Sequence, residues 1–237
     1  MLVAVRAWGK ARTFGENMRR RLTEHDNFGY LTVALVVLLF GTALADELGL
    51  KLGQLLVQLA IVATLAIGVW GTNRRTHWFR TRLGLILASL VVILLGRWLE
   101  TALLWLLLLL GYLILTSWLA MEQVLRGDSV DWNKIVGAVC VYLLMGLIWA
   151  TLYMLIALIE PSAFAGLRPG PWYQGFPELV YFSFITLTTV GYGDIAPVSS
   201  LARFFAFIEA VVGQFYLAIL VASLVGIRLA DWRGNGD

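Results

Sequence analysis

This sequence has few charged residues. Of its 237 residues, 14% are charged and 60% are hydrophobic. A soluble domain holds about 25% charged and roughly 45–50% apolar residues, and it would have to expose such long apolar runs to water. Several of these runs approach the roughly 20 residues that cross a bilayer as a helix. The composition therefore argues against a soluble globule and predicts an all-α, multi-pass integral membrane protein.

Cysteine and histidine are also scarce. The chain has one cysteine, Cys140, and two histidines, His25 and His77. One cysteine cannot form a disulfide within the chain, and no cluster of His, Cys or carboxylate residues suggests a metal centre or a catalytic site. We therefore expect no enzyme activity and no cofactor. The net charge is +3, but the basic residues lie between apolar runs, as residues that set membrane topology do. Nucleic acid is therefore not an expected partner.

Six apolar runs organise the chain. We predict a basic cytoplasmic segment over 1–27, a four-helix domain over 28–125, a linker over 126–131, a two-helix domain over 132–228 and a short tail over 229–237. The expected spans are residues 28–45, 52–71, 83–96, 100–120, 132–159 and 199–228.

Basic residues set the expected orientation. They cluster at residues 6–21 and 74–82, whereas the turn at 46–51 carries only Lys51. By the positive-inside rule, both termini face the cytoplasm. The segment 160–198, which holds all five prolines, then faces outside. We expect a plasma membrane (cell inner membrane) protein surrounded by membrane lipids.

This outer segment carries one conspicuous motif, which reads Thr189, Val190, Gly191, Tyr192, Gly193 and Asp194. These six residues resemble the pore signature of potassium channels. The resemblance implies a re-entrant helix, followed by a filter whose main-chain carbonyls replace the water shell of K⁺. Carbonyls that all face one axis need partly left-handed backbone angles, which glycine reaches without a Cβ clash.

The resemblance implies specific roles for these residues. Residues 189–193 form the selectivity filter, and K⁺ binds the carbonyls of residues 189–192 and the Thr189 hydroxyl. Val190 and Tyr192 point away from the axis and pack behind the filter. One filter copy per chain requires four chains, so we expect a homotetramer that conducts K⁺ passively. K⁺ is then the permeant ligand and not a cofactor. A weakly selective cation channel and a non-conducting regulatory channel subunit remain alternatives.

The residues around the filter add further expectations. Pro177 suits the first turn of a helix over about 176–188, and Glu178 would complement its positive N-terminal end. Thr188 and Asp194 would support the filter. In the potassium channel family, a tryptophan of this helix commonly hydrogen-bonds the aspartate, and Tyr181 stands at a matching place with a hydroxyl to donate. Some family members carry a glutamate where Ile185 stands here.

Two residues of the sixth span have two interpretations each. Gly213 falls where the family has a gate hinge, but a small residue also permits close helix packing. Glu209 is an ionisable group at membrane depth, where such groups are costly and usually face protein or water. It is either a pore-proximal sensor of protons or cations, or a structural hydrogen-bonding partner of another helix.

The six-span layout resembles voltage-gated channels, but the charge pattern differs. A voltage sensor needs several basic residues in its fourth span, because only charge that moves through the field couples to voltage. Residues 101–121 contain no Lys or Arg. We therefore expect little or no voltage-dependent gating.

Overall fold

The computed structural model describes residues 27–47, 83–84, 86–88, 102–125 and 132–234. The predicted second span, most of the third, the linker and nearly all of the basic N-terminal segment lie outside the described residues. In chain order the elements are α1 (Asn27–Glu47), α2 (Ala102–Leu125), α3 (Trp132–Ile159), β1 (Phe164–Ala165), α4 (Trp172–Leu187), β2 (Ala196–Pro197) and α5 (Ser200–Gly234).

Three of the described helices are long and apolar enough to cross a membrane. They are the segments Ala102–Leu125, Asn133–Ile159 and Ser200–Ser223, and Phe28–Leu39 is a shorter apolar stretch. The three longer segments coincide with the predicted fourth, fifth and sixth spans, and the shorter one lies within the predicted first span. The bounds of α3 coincide with the prediction of 132–159. The described part of the chain is therefore a predominantly helical membrane protein.

Helix α3 lies at the centre of the described fold, because α1, α2, α4 and α5 all pack against it. The Trp105 ring on α2 also contacts that of Trp172 at the start of α4, with centroids 5.0 Å apart. Helix–helix association in lipid depends on such packing contacts, since the solvent is itself apolar. The buried residues of α2 recur every three or four positions, which places them on one side of the helix. They are Trp105, Leu106, Leu109, Tyr112, Leu113, Thr116, Leu119 and Ala120.

A short antiparallel strand pair, which the sequence analysis did not predict, joins the segments before α4 and before α5. Phe164 pairs with Pro197 and Ala165 with Ala196. Gly166 follows with a φ of 86°, and a Cβ there would lie 2.0 Å from the carbonyl oxygen of Asp194. The segments on either side of α4 are therefore held together close to the motif at residues 189–194.

Two helix boundaries differ from the predictions. Helix α4 begins at Trp172, so Pro177 lies inside it and not in its first turn. The expected start near residue 176 was wrong, because Pro171, with a φ of −66°, already sets the chain for a helix at that point. Helix α5 continues to Gly234, so the predicted tail is helical over 229–234.

Candidate functional site

The candidate filter loop, residues 189–193, directly follows α4 and has an alternating backbone. Thr189, Gly191 and Gly193 have φ angles of 61°, 53° and 82°. Val190 and Tyr192 between them do not have positive φ. A β-branched residue such as threonine rarely adopts this conformation. Left-handed angles were expected at the two glycines, and Thr189 adopts one as well.

The amides of the loop point back to the end of α4. The N–H groups of Val190 and Gly191 both donate to the Ile185 carbonyl, at 2.8 Å and 3.1 Å. The Thr189 N–H donates to the Thr186 carbonyl at 2.9 Å. Three successive N–H groups of the loop therefore bond to carbonyls of α4. Because the N–H and C=O of a trans peptide point in opposite directions, the carbonyls of these peptides face away from α4.

Two threonine hydroxyls at the start of the loop have different partners. The Thr188 hydroxyl donates to the Phe184 carbonyl at 2.6 Å, so it satisfies an acceptor in the last turn of α4. The Thr189 hydroxyl accepts from the side-chain amide of Gln214 on α5 at 3.3 Å. Sequence reasoning missed this role of Gln214. The feature of the sequence that could have indicated it is a side-chain amide within an otherwise apolar stretch, next to Gly213.

The side chains of the loop are not covered by their own chain. Tyr192 is 73% exposed and Val190 is 51% exposed. The family resemblance implied that both side chains pack behind the filter. Within one chain they lack that cover, and their packing against other chains stays a prediction.

Asp194 has the neighbour that the sequence suggested. The Tyr181 hydroxyl forms a hydrogen bond with the Asp194 carboxylate. Partial desolvation, and after it this carboxylate, raise the pKa of the Tyr181 hydroxyl above its ordinary value, because both disfavour the phenolate. Tyr181 thus links α4 to the residue that ends the motif.

Glu178 has a different partner from the one expected. Its carboxylate accepts a hydrogen bond from the Arg168 backbone N–H at 3.1 Å and forms an ion pair with the Arg168 guanidinium. It does not cap the start of α4, because the helix begins farther upstream. The pair instead holds α4 to the turn that follows β1.

Glu209 is fully buried, with 0% exposure, and it lies where three helices meet. The Tyr153 hydroxyl of α3 donates to its Oε2 at 2.5 Å. The Ser183 hydroxyl of α4 lies 2.6 Å from its Oε1 and 2.8 Å from the Gly146 carbonyl oxygen. These contacts fit the structural alternative for Glu209. Its partners were not foreseen, since they are distant in sequence.

Gly213 on α5 lies close to the end of α4. A Cβ at Gly213 would lie 2.5 Å from the Leu187 carbonyl oxygen. The same oxygen accepts a hydrogen bond from the Tyr142 hydroxyl of α3 at 3.3 Å. The contact fits the close-packing interpretation of Gly213, and a hinge role stays a prediction.

Oxygen atoms are the groups that this site offers to a cation. Among the residues that the structure describes, no three His, Cys, Asp or Glu side chains lie together as a metal site would require. The loop instead presents main-chain carbonyls and a threonine hydroxyl. Oxygen ligands of this kind suit alkali cations, which channels bind after removing water.

A helix and an alternating loop lie between two helices that are long and apolar enough to cross a membrane. A family model described as "Ion channel" matches residues 139–227, which run from α3 through the loop to α5. No curated protein sequence matches the chain significantly. The geometry and this match together support an ion channel.

Proposed function

We propose that this chain is one subunit of a homotetrameric potassium channel that conducts K⁺ passively. The observation that carries the proposal is the left-handed backbone at Thr189, Gly191 and Gly193, alternating within the string Thr-Val-Gly-Tyr-Gly-Asp. Such alternation turns successive carbonyls towards one side of the loop. Four loops around one axis would then form the rings of carbonyl oxygens that replace the hydration shell of K⁺.

The proposed ion sites follow the loop from its cytoplasmic end. The Thr189 hydroxyl and the carbonyls of Thr189, Val190, Gly191 and Tyr192 would coordinate successive dehydrated ions. The C-terminal end of α4 lies beside the loop, and its partly negative dipole favours a cation there. Thr188, Tyr181 and Asp194 would support the loop from the protein side.

Exposure within one chain supports assembly into a tetramer. In an apolar 18-residue stretch of Ser200–Ser223 on α5, 11% of the residues are buried, whereas 50% are buried in such a stretch of Asn133–Ile159 on α3. In the proposed pore, α5 faces the axis and the neighbouring subunits, while lipids cover the outer helices. The large apolar side chains that this face leaves exposed include Phe204, Phe207, Phe215 and Ile219.

The proposed topology has six spans and a re-entrant α4. Both termini lie in the cytoplasm of a plasma membrane protein, and the residues between α3 and α5 enter the bilayer from outside. Irregular backbone at membrane depth is tolerated where protein or a water-filled path surrounds it. The strand pair and the Arg168–Glu178 ion pair would hold this entry segment at the outer surface.

Ion flux from liposomes tests the proposal. Purified protein would be reconstituted in vesicles loaded with either potassium or sodium salt, and efflux would be followed with and without barium. We expect barium-sensitive K⁺ efflux with little Na⁺ efflux. Gly191→Ala should abolish it, since alanine at a φ of 53° is strained. Gly111→Ala is the matched control, because open space surrounds that glycine.

The alternatives correspond to other outcomes of the same assay. Equal K⁺ and Na⁺ efflux would indicate a weakly selective cation channel. A folded, tetrameric protein without any barium-sensitive flux would indicate a non-conducting regulatory subunit. Either result would contradict the proposed selective conduction.

A further inference from the structure

The hydrogen bonds around Glu209 require more protons than the surrounding hydroxyl groups supply. Three short oxygen–oxygen distances meet here: 2.5 Å from Tyr153 to Glu209, 2.6 Å from Glu209 to Ser183 and 2.8 Å from Ser183 to the Gly146 carbonyl. Each hydrogen bond needs one proton between its two oxygens. Three contacts therefore need three protons.

Only two of these protons belong to the hydroxyl groups. Tyr153 and Ser183 carry one each, and the Gly146 carbonyl can only accept. With an ionised Glu209, the Ser183 proton can serve either the carboxylate or the carbonyl, but it cannot make a full bond to both. A protonated carboxyl supplies the third proton. Glu209 then donates to Ser183, Ser183 donates to Gly146, and Tyr153 donates to the other carboxyl oxygen.

The surroundings of Glu209 agree with a neutral group. Its side chain is fully buried, and an ionised carboxylate without a cationic partner is costly in such a place. The titratable groups that face it are Tyr153 and Tyr142, both from α3. From α4 it meets Ser183, which does not titrate. Among the described residues, no basic group is found to act on Glu209.

We propose that Glu209 is a positioning residue that stays a neutral carboxylic acid at neutral pH and latches α4, and with it the candidate filter loop, to α3 and α5. Ser183 belongs to the same helix that ends at the loop, so the latch fixes the height and rotation of that helix. Loss of the proton at alkaline pH would remove one of the three bonds and leave a buried charge. The effect of the latch on conduction rests on the proposed channel function, whereas its protonation does not.

Infrared spectroscopy tests the protonation without any need for ion flux. The spectrum of the wild-type protein minus that of Glu209→Gln at neutral pH should show the C=O stretch of a buried carboxylic acid. Tyr153→Phe should shift this band to higher frequency, since it removes the donor to the carbonyl oxygen. A difference spectrum with only carboxylate bands would overturn the proposal. Should Glu209→Gln fail to fold, the shift in Tyr153→Phe gives the same decision.

The pH profile of K⁺ flux tests the latch itself. Glutamine can accept from Tyr153 and donate to Ser183, so Glu209→Gln keeps all three contacts and cannot titrate. Its flux at neutral pH should stay within about twofold of wild type, since the donor and acceptor pattern persists. Wild-type flux should fall at alkaline pH while that of Glu209→Gln stays flat. Glu160→Gln, which removes an exposed carboxylate at the end of α3, should retain the wild-type profile.

Two results would overturn the latch while leaving the channel proposal intact. One is an alkaline fall in flux that is the same in wild type and Glu209→Gln. The other is a loss of flux in Glu209→Gln with wild-type folding, since an ionised glutamate would then be the working form. A chain that never conducts would contradict the channel proposal, and the infrared result would still decide the protonation.

Discussion

Gly213 on α5 lies directly against the carbonyl oxygen of Leu187 at the end of α4, where an added Cβ would stand 2.5 Å away. No real Cβ tolerates so short a distance to a backbone oxygen. The position of α5 is therefore coupled to the end of the helix that leads into the candidate filter loop. This contact makes substitution at Gly213 informative about the loop.

Gly213→Ala should destabilise the protein and reduce flux. The methyl group must displace the Leu187 backbone, and overpacking of this kind costs about 1–3 kcal/mol. Gly111→Ala serves as the control, since nothing lies within 4 Å of its added Cβ. It should be neutral or slightly stabilising, because alanine is the better helix former. Thermal unfolding in detergent and K⁺ efflux would measure both variants, and equal behaviour of the two would contradict this contact.

The hydrogen bond between Gln214 and Thr189 should appear as coupling in a double-mutant cycle. Gln214→Met and Thr189→Val each remove one partner, so the loss in the double variant should be smaller than the sum of the single losses. The expected coupling in unfolding free energy is about 0.5–1.5 kcal/mol for one neutral hydrogen bond. Thr189→Ser keeps the hydroxyl and should retain the coupling. Strict additivity of the two substitutions would argue against the bond.

The contact between Tyr181 and Asp194 gives a prediction on titration. The carboxylate disfavours the phenolate, so Asp194→Asn should lower the pKa of Tyr181, although partial desolvation keeps it above the ordinary value. Ultraviolet absorbance titration would measure this as the component that Tyr181→Phe removes. An unshifted Tyr181 component would mean that the two groups do not interact.

Currents through the reconstituted protein should depend little on voltage. One elementary charge that crosses the field contributes about 2.3 kcal/mol per 100 mV. Helix α2, at the place of a fourth span, contains no Lys or Arg between Ala102 and Leu125. Open probability in planar bilayers should therefore stay nearly constant between about −100 and +100 mV. A steep, sigmoidal conductance–voltage curve would contradict this expectation.

The long helices could be predicted from the sequence because composition alone defines them. Helix α3 is an uninterrupted apolar run bounded by polar residues, so its bounds of Trp132 and Ile159 coincide with the predicted ones. The predicted start of α4 was wrong because the sequence offers two prolines at which a helix could begin. The conformational preference of proline does not distinguish Pro171 from Pro177. The end of α5 was set too early, since Arg228 and Asp231 are compatible with a helix that continues.

The candidate site was only partly predictable, and the reason is distance along the chain. The loop was evident because its six residues are contiguous. The partners of Glu209 lie 56 and 26 residues away, and neither Tyr153 nor Ser183 stands out in a run of similar residues. The two-residue strands were missed because their pairing depends on how the ends of α4 are placed and not on any alternating pattern.

The exposed face of α5 has a consequence for the biogenesis of the protein. An apolar surface of this kind would make a water-soluble chain aggregate, but acyl chains solvate it without penalty. Under the proposed assembly, a newly inserted protomer can therefore wait and diffuse in the bilayer before it meets three others. Recognition between protomers would then depend on complementary shape and on the loop residues around Tyr192, because an apolar surface alone does not distinguish another subunit from lipid.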